Sequence, residues 1–479
     1  MKTRKVLIPT SRVIFGHGRV DITPPVGIYH RMWGAARHDR STGLHRPILA
    51  DVMIFGSLNE EPELLVRAHI DLVGLVTDDH QAIVSGLAEA VGVDEDRVDV
   101  TYSHSHSSGF YMPDRVELPG GELMPEYLAD VADKVSEAGT EAVLSLEAAV
   151  ITYATGRCDM AANRDCEDEA FGGYVCGFNP DVAPDDTVLV GRATDLAHRQ
   201  VATLVHYGCH PTTLAWDNTL LSPDYVGAMR EEVERVTACA CVFAQAPSGN
   251  QGPRHGFVGD TEVADKNGRQ LGFAALSALM SMGPPGTDYE YQGPVISGAT
   301  IGTWAYTPLT EERREAAAVF ETGVHSVDLP VRSDLDVDEL KQKLEEWTAK
   351  QQEADARGDV VGARDCGARA ERARRWLGRL KGMPEGNYPY RFSVHRLGDA
   401  VWVSCGGEPY SHLQVELRKR FPDYTILASP LTGTIQVAYL LDEASYGKGL
   451  YQEEPSSLAK GCLEMLIEAM AEKIEAVVS

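Results

Sequence analysis

Apolar and polar positions along the chain predict a mixture of helices and strands. Residues 47–76 read as two strands around an acidic turn, and residues 97–102 read as a strand that follows an amphipathic helix over 79–95. Residues 223–246 repeat the order of helix and then strand, and their run CACVFAQA is typical of a strand buried on both faces. The pattern predicts an α/β (α+β) fold, a large layered domain of mixed β-sheets flanked by helices.

Residues 334–383 depart from this pattern. They are rich in Ala, Arg, Glu, Gln, Lys and Leu, with one break at Ala356-Arg357-Gly358-Asp359. We interpret them as an inserted helical hairpin whose charges form a solvated face. The strand pattern resumes after the hairpin, and the chain closes on a predicted helix over 456–476. Because sheet-forming sequence lies on both sides of the hairpin, we expect a single domain over residues 1–479.

Composition narrows the class of protein. The 479 residues carry a formal net charge of −27, which disfavours nucleic acid and anionic membranes as partners. No stretch approaches the ~20 apolar residues of a membrane span, and the N-terminal sequence has no apolar run of signal-peptide length. The nine cysteines are irregularly spaced, which favours reduced thiols. These features predict a cytoplasmic protein.

Two histidines follow the predicted strand over 97–102. His104 and His106 lie in TYSHSHSSG, separated by one residue. In extended backbone such a pair points the same way, so we expect both rings to reach one site. Small neighbours leave room for a metal or a substrate, and α/β enzymes place such groups in loops at strand ends. The alternative is a pair of polar loop histidines that bind nothing.

A second turn with histidines follows the apolar run VATLV. Within HYGCHPTTL we interpret His206 as a core residue and His210 as the candidate ligand, because His210 stands at the end of the strand. Pro211 restricts His210 to extended conformations. Cys209 is an alternative ligand as a thiolate, but extended neighbours point in opposite directions, which disfavours it.

Two loops rich in glycine follow other buried strands. In residues 246–253, APSGNQGP, backbone N–H groups can approach a ligand closely, although an ordinary tight turn has the same composition. In SCGGEP the carboxylate of Glu408 follows a strand directly. Two histidines and one carboxylate are a common ligand set for catalytic zinc and leave a position open for water.

In their order and spacing these motifs resemble those of the neutral, non-lysosomal ceramidases, in their catalytic N-terminal domain, and of the bacterial ceramidase-like hydrolases. The resemblance extends over roughly residues 16–455. The segments that carry it are GRVDITPPVG at 18–27, SHSHS at 103–107, Asn163-Arg164, HPTT at 210–213, SGNQGP at 248–253, Gly407-Glu408 and the series Tyr439, Tyr446 and Tyr451.

The resemblance implies a hydrolase that cleaves amide (N-acyl) bonds with one Zn²⁺ per chain. It implies that His106 stabilises the oxyanion or hands a proton to the leaving amine, and that Arg164 holds the carbonyl or the carboxylate product. The implied residues are His104, His210, Glu408 and Tyr439 as metal ligands, His106, Arg164 and Glu408 in catalysis, and Asn250, Gly252 and Tyr451 at the substrate.

Two features depart from that family. Gly252 stands where ceramidases have a loop serine with a catalytic role, and the sequence has neither a secretion signal nor a C-terminal Ig-like domain. We therefore expect a small-molecule acyl-amide substrate other than ceramide. We also expect attack by metal-activated water, because a covalent route needs a Ser, Cys or Thr beside a base.

Two alternatives remain open. An esterase or lactonase would use the same zinc site, because its tetrahedral intermediate needs the same oxyanion support. A non-catalytic zinc-stabilised binding protein would dock through residues 334–383, although structural zinc sites are usually closed by four Cys or His ligands. We expect the hairpin to pack over or beside the mouth of the site, or to mediate self-association in a homo-oligomer. It has no histidine, so we expect it to contribute no metal ligand.

Overall fold

The centre of the protein is a pair of β-sheets packed face to face. The structure is a computed structural model that describes residues 4–479. The large sheet is mostly antiparallel, with a parallel pair at each edge. Its strands, in order across the sheet, are Ala240–Gln245, Gln200–Tyr207, Thr187–Asp195, Glu147–Arg157, Thr10–Asp21, Leu49–Gly56, Leu64–Ile70 and Val98–Tyr102.

The small sheet has four strands, of which the last two are parallel. Side chains alternate across it, so Trp402 packs towards the large sheet, with its ring 6.2 Å from that of Phe55. Val401 and Val403 point the other way, into a separate core cluster. In order, the strands are Phe320–Pro330, Asn387–Leu397, Ala400–Cys405 and Thr425–Ser429.

Helices cover the outer faces of both sheets, which gives four layers in the order helix, sheet, sheet, helix. Helices α1 to α4 pack on the large sheet, and α8 and α9 pack on the small sheet. This arrangement confirms the predicted fold of layered mixed sheets flanked by helices. The helices are α1 Thr77–Val91, α2 Met124–Leu144, α3 Tyr225–Thr237, α4 Thr261–Met280, α5 Glu311–Ala316, α6 Val337–Ala356, α7 Val360–Leu380, α8 His412–Arg420 and α9 Cys462–Val478.

Short strands complete the architecture. Two of these pairs border the candidate site: Glu408–Pro409 runs parallel to Tyr439–Leu440, and Gln251–Pro253 runs antiparallel to Ala161–Asn163. Two further pairs join Asp165–Asp168 to Gly173–Cys176 and Gly43–Leu44 to Leu220–Leu221. A separate three-stranded sheet has the longer strand Thr287–Ser297 at its centre, between Lys5–Val6 and Ala299–Pro308.

Residues 334–383 contain the antiparallel helices α6 and α7. Aspartates cap both N-termini, since Asp336 accepts from two backbone N–H groups of α6 and Asp359 accepts from one of α7. Arg369 of α7 lies over the ring of Trp347 of α6, 4.4 Å from its centroid. That this pair is an insertion into the domain stays a prediction. None of the helices within residues 4–479 is long and apolar enough to cross a membrane.

A buried ion pair within the large sheet is hydrogen-bonded to side chains of the small sheet. Arg67 in the large sheet donates to Asp99 at 2.7 Å, and its guanidinium lies 4.3 Å from the ring centroid of Trp402. The hydroxyls of Ser393 and Ser404, both in the small sheet, donate to the same carboxylate at 3.0 and 2.7 Å. Burial alone would raise the pKa of Asp99, but contacts with His395 and Arg67 hold it below its ordinary value. The carboxylate is therefore charged, and its Oδ2 accepts from Arg67, Ser393 and Ser404.

We predict that Asp99→Asn lowers the free energy of unfolding by about 3–5 kcal/mol, because it leaves the Arg67 charge buried without a counter-ion. Urea denaturation followed by circular dichroism measures the loss. Asp96→Asn is the matched control: Asp96 is 70% exposed and pairs with Arg391, which is 61% exposed. Its loss should stay below about 1 kcal/mol. Equal losses in the two variants would contradict the account of the sheet interface.

Candidate metal centre

Strand ends from both sheets meet at one point. His104 follows the edge strand Val98–Tyr102 of the large sheet, and His210 follows Gln200–Tyr207 of the same sheet. Glu408 follows Ala400–Cys405 of the small sheet. Tyr439 lies beside Glu408, because the two residues are register partners in their short parallel pair. The structure thus brings together the four residues that the family resemblance implies as metal ligands.

Backbone carbonyls orient both histidine rings. Nδ1 of His104 donates to the carbonyl of Val73 at 2.6 Å, and Nδ1 of His210 donates to the carbonyl of Ser248 at 2.9 Å. A carbonyl oxygen only accepts, so in the neutral rings the proton lies on Nδ1 and Nε2 carries a lone pair. These Nε2 atoms lie 3.4 and 2.9 Å from Oε2 of Glu408. Three acceptor atoms therefore face one another.

The charge states favour this arrangement of acceptors. Burial lowers the pKa of His210 to about 4, helped by the charge of Arg164 and opposed by Glu408. Burial would raise the pKa of Glu408, but His104 and His210 hold it well below its ordinary value when their rings carry positive charge. The low pKa of His210 disfavours a proton on its Nε2 at neutral pH, so the ionised carboxylate lacks this partner. Acceptors that face one another repel unless a proton or a cation lies between them.

Tyr439 and Arg164 form the next side of the site. The hydroxyl of Tyr439 lies 3.4 Å from Nε2 of His210 and accepts from Nη2 of Arg164 at 3.1 Å. Arg164 also donates through Nε and Nη2 to the carbonyl of Gly249, at 3.1 and 2.7 Å. Burial and the charge of Glu408 raise the pKa of the Tyr439 phenol well above its usual range. In this set of contacts Arg164 holds the phenol oxygen in place.

The ring of His106 lies against the rings of His104 and His210. Its ring centroid lies 4.8 Å from that of His104 and 5.7 Å from that of His210, and the three residues place ligand atoms within 4.8 Å of one another. Its Nε2 is buried and has no hydrogen-bond partner within residues 4–479. Burial, and then the neighbouring histidines, lower its pKa well below the ordinary value. A neutral imidazole with an uncommitted Nε2 therefore faces the site.

The extended backbone expected around His104 is wrong. His104 has φ of +68°, in the left-handed region that bulky residues rarely adopt. Its N–H donates to the carbonyl of Leu72 at 2.9 Å, and the N–H of His106 donates to that of Pro211 at 3.3 Å. A tight turn held by these bonds, and not the alternation of a strand, brings the two rings to one site.

The residues implied at the substrate surround Arg164 and Tyr439. The backbone N–H of Arg164 donates to the backbone carbonyl of Asn250 at 3.0 Å. The backbone N–H of Ser411 donates to the side-chain oxygen of Asn250 at 2.9 Å. Gly252 lies beside Arg164, where an added Cβ would sit 3.6 Å from Cδ of that arginine. Tyr451 is 48% exposed, with its ring 5.9 Å from that of Tyr439.

His206 and Cys209 are close to His210 in the sequence, but their side chains have partners outside the metal centre. His206 is fully buried and bonds through Nε2 to the carbonyl of Ala428 at 2.8 Å, as a core residue would. The thiol of Cys209 lies 3.6 Å from the sulfur of Met160 inside a hydrophobic cluster, and burial raises its pKa well above the usual range. That thiol stays protonated and is a poor ligand.

Sequence reasoning missed two features of the site. The carbonyls of Val73 and Ser248 orient the histidine rings, and no side-chain pattern marks a backbone carbonyl. Trp33 lies 5.2 Å from His106 and contacts Trp216 and Phe257 at 6.1 and 5.8 Å, measured between ring centroids. Trp33, Trp216 and Phe257 are far apart in the sequence, so no sequence motif marks their cluster.

The residues present fit a zinc ion. Two imidazoles with Nδ1 bound to backbone carbonyls, one carboxylate and one phenol supply nitrogen and oxygen ligands, and second-shell bonds of this kind fix metal-binding histidines. His106 gives an alternative third histidine. A set of imidazole, carboxylate and phenol ligands differs from the Cys and His sets that close structural zinc sites.

Comparison with solved structures identifies proteins of the same fold. Neither the models of known protein families nor the curated protein sequences give a match. Among solved structures, the neutral ceramidase from Pseudomonas aeruginosa is similar with a TM-score of 0.65 and 16% identity, over 98% of this chain and 75% of that one. A ceramidase complexed with C2 is similar with a TM-score of 0.64 and 15% identity, over 98% and 76% of the two chains. The predicted resemblance is confirmed at the level of structure: the chain has the fold of the bacterial neutral ceramidases.

Proposed function

We propose that the protein is a zinc-dependent hydrolase that cleaves an amide (N-acyl) bond with metal-activated water. The observation that carries the proposal is the convergence of two Nε2 lone pairs on the Glu408 carboxylate, with both Nδ1 protons committed to backbone carbonyls. Three buried acceptors in contact need a cation. The ceramidase fold supports an acyl amide as the class of substrate.

His104, His210, Glu408 and Tyr439 would hold the zinc ion. When bound, zinc supplies a Lewis acid and lowers the pKa of a water molecule to about 7, which provides a nucleophile at neutral pH. The carbonyls of Val73 and Ser248 keep the two imidazoles in the required tautomer. Arg164 bonds to the phenol oxygen of Tyr439, which favours loss of the phenol proton when a cation is present.

His106 would polarise the substrate carbonyl. It is half-buried and neutral, and its buried Nε2 has no protein partner in the described chain, so in the appropriate tautomer it can donate to an oxyanion. Arg164 would assist, because its Nη1 makes no hydrogen bond within residues 4–479 while its other nitrogens hold Gly249 and Tyr439. Donors fixed in this way cost little reorganisation when charge develops on the oxygen.

A covalent route has little support around the site. Gly252 offers no side chain. The hydroxyl of Ser248 lies 3.4 Å from Nδ1 of His210, but that nitrogen donates its proton to the Ser248 carbonyl and cannot act as a base. The hydroxyl also accepts from Gln245 at 2.8 Å. Water is therefore the attacking group in the proposed reaction.

We predict that the purified protein holds about one zinc ion per chain and that His104→Ala loses metal and activity together. His106→Ala should keep the metal and lose turnover by ~10²-fold or more, as on removal of an oxyanion donor. Plasma mass spectrometry measures the metal, and hydrolysis of matched N-acyl amides and esters measures activity and bond preference. His198→Asn is the control, because His198 is exposed and has φ of +64°, which asparagine tolerates. An empty site in His106→Ala would assign that histidine to the metal instead.

For the attacking group, we predict that Ser248→Ala keeps activity within about tenfold of the unmodified protein, because the lost hydroxyl supports a loop but attacks nothing. A single turnover in ¹⁸O-water should place the label in the product carboxylate. Mass spectrometry reads both the product and the protein. A trapped acyl group on Ser248 or Cys209 would overturn the water mechanism and leave the metal site standing.

A further inference from the structure

Helix α7 is basic although the protein as a whole is strongly acidic. Its 21 residues carry arginines at 364, 369, 372, 374, 375 and 379, against only Asp365 and Glu371. Four of these arginines pair with acids: Arg364 with Asp365, Arg372 with Glu454, and Arg374 and Arg375 with Glu371. Arg369 is exposed and lies over the ring of Trp347. Positive charge concentrated on one helix attracts anions to that part of the surface.

Arg379 differs from the other arginines of α7. It is half-buried and pairs with no acid within residues 4–479, and its one aromatic contact is with Trp376 at 5.8 Å. Burial lowers the pKa of its guanidinium. Trp376, over which Arg379 lies, donates to Glu454 at 3.0 Å, three residues after Tyr451, so this turn of α7 lies beside the Tyr451 segment of the site. A half-buried guanidinium without a counter-ion favours an anionic ligand.

The C-terminal end of α7 is fixed at the rim of the site. Arg375 donates to the carbonyl of Met32 at 2.5 Å, next to Trp33 in the chain. Beyond the helix, Gln436 donates to the carbonyl of Lys381 at 3.4 Å, three residues before Tyr439. These contacts attach the C-terminal end of α7 to the segments that carry Trp33 and Tyr439, so Arg379 has a defined position.

Aromatic rings lie beside His106 at the same centre. Trp33 packs against His106 and contacts both Trp216 and Phe257. Trp216 is 37% exposed, and Phe257 has φ of +58°, a left-handed conformation that is strained for a bulky residue. Strain kept beside a site is typical of a surface shaped for a ligand. This aromatic wall, formed by Trp33, Trp216 and Phe257, suits an apolar group.

We infer that the substrate is an N-acyl amino acid, whose apolar acyl chain packs on the aromatic wall and whose carboxylate pairs with Arg379. The inference rests on the proposed function, which places the amide bond at the metal centre, within reach of both features. It also gives part of α7 a role in binding, whereas the sequence alone favours a solvated face for that helix. Arg379 acts as a specificity-determining residue and does not touch the reacting bond.

Two substrates that differ only in charge test the inference. N-lauroylglycine carries the carboxylate, and N-lauroylglycinamide replaces it with a neutral amide of nearly the same shape. We expect kcat/KM of the unmodified enzyme to favour the acid by at least about tenfold. Arg379→Gln should remove that preference and leave hydrolysis of the neutral substrate within about twofold. Arg369→Gln, on the same helix, should change neither. Equal preference in the unmodified enzyme, or equal losses on both substrates in Arg379→Gln, would overturn the inference.

Binding of inert analogues separates this inference from the proposed function. In the ketone isosteres of both compounds a CH₂ group replaces the amide NH, so neither can be hydrolysed, and calorimetry measures their affinity directly. We expect the acid to bind at least about tenfold more tightly than the neutral ketone, and Arg379→Gln to abolish the difference. If the ketones are discriminated but the amides are not hydrolysed, the proposed hydrolase activity is refuted and carboxylate binding at Arg379 is supported. Turnover without discrimination would refute only the anion site.

Discussion

The ion pair between Arg67 and Asp99, buried where the two sheets face each other, aligns the strands that end at the metal centre. Asp99 lies in the strand that leads to His104, and its carboxylate accepts from Ser404 in the strand that leads to Glu408. Arg67 bonds to the same carboxylate and to Ser429 in the neighbouring strand of the small sheet. A shift of one sheet over the other would break these bonds inside the core, where unpaired charge is costly. The relative positions of His104 and Glu408 depend on this contact.

At the strand ends, the backbone of His104 is strained in the conformation that assembles the metal centre. His104 adopts a left-handed conformation, and its Nδ1 proton goes to the carbonyl of Val73. His210 commits its own Nδ1 proton to the carbonyl of Ser248. Both rings are thereby locked with a lone pair towards Glu408, an arrangement that is unfavourable until a cation occupies the space between them. In the proposed enzyme, binding of the metal relieves the repulsion between these lone pairs and the carboxylate. The ligands are already oriented, so metal binding requires little rearrangement of the site.

The layered fold was predictable from the sequence because buried strands read as apolar runs, and histidines or a carboxylate directly after such runs point to a strand-end site. The turn at His104 was not predictable, since the spacing of His104 and His106 fits an extended strand equally well. Tyr439 is paired with Glu408 by strands of only two residues, which leave no periodic pattern, so only the family resemblance pointed to it. The position of Arg379 depends on how α7 docks at Met32, a contact between residues far apart in the chain.

Anomalous diffraction from crystals of the zinc-loaded protein, recorded on both sides of the zinc absorption edge, would locate the metal and identify its ligands. We predict a single anomalous peak about 2.0–2.2 Å from Nε2 of His104, from Nε2 of His210 and from an oxygen of Glu408, with the phenol oxygen of Tyr439 as the fourth ligand. A peak held by His104, His106 and His210 without Glu408, or no peak at these residues, would contradict it.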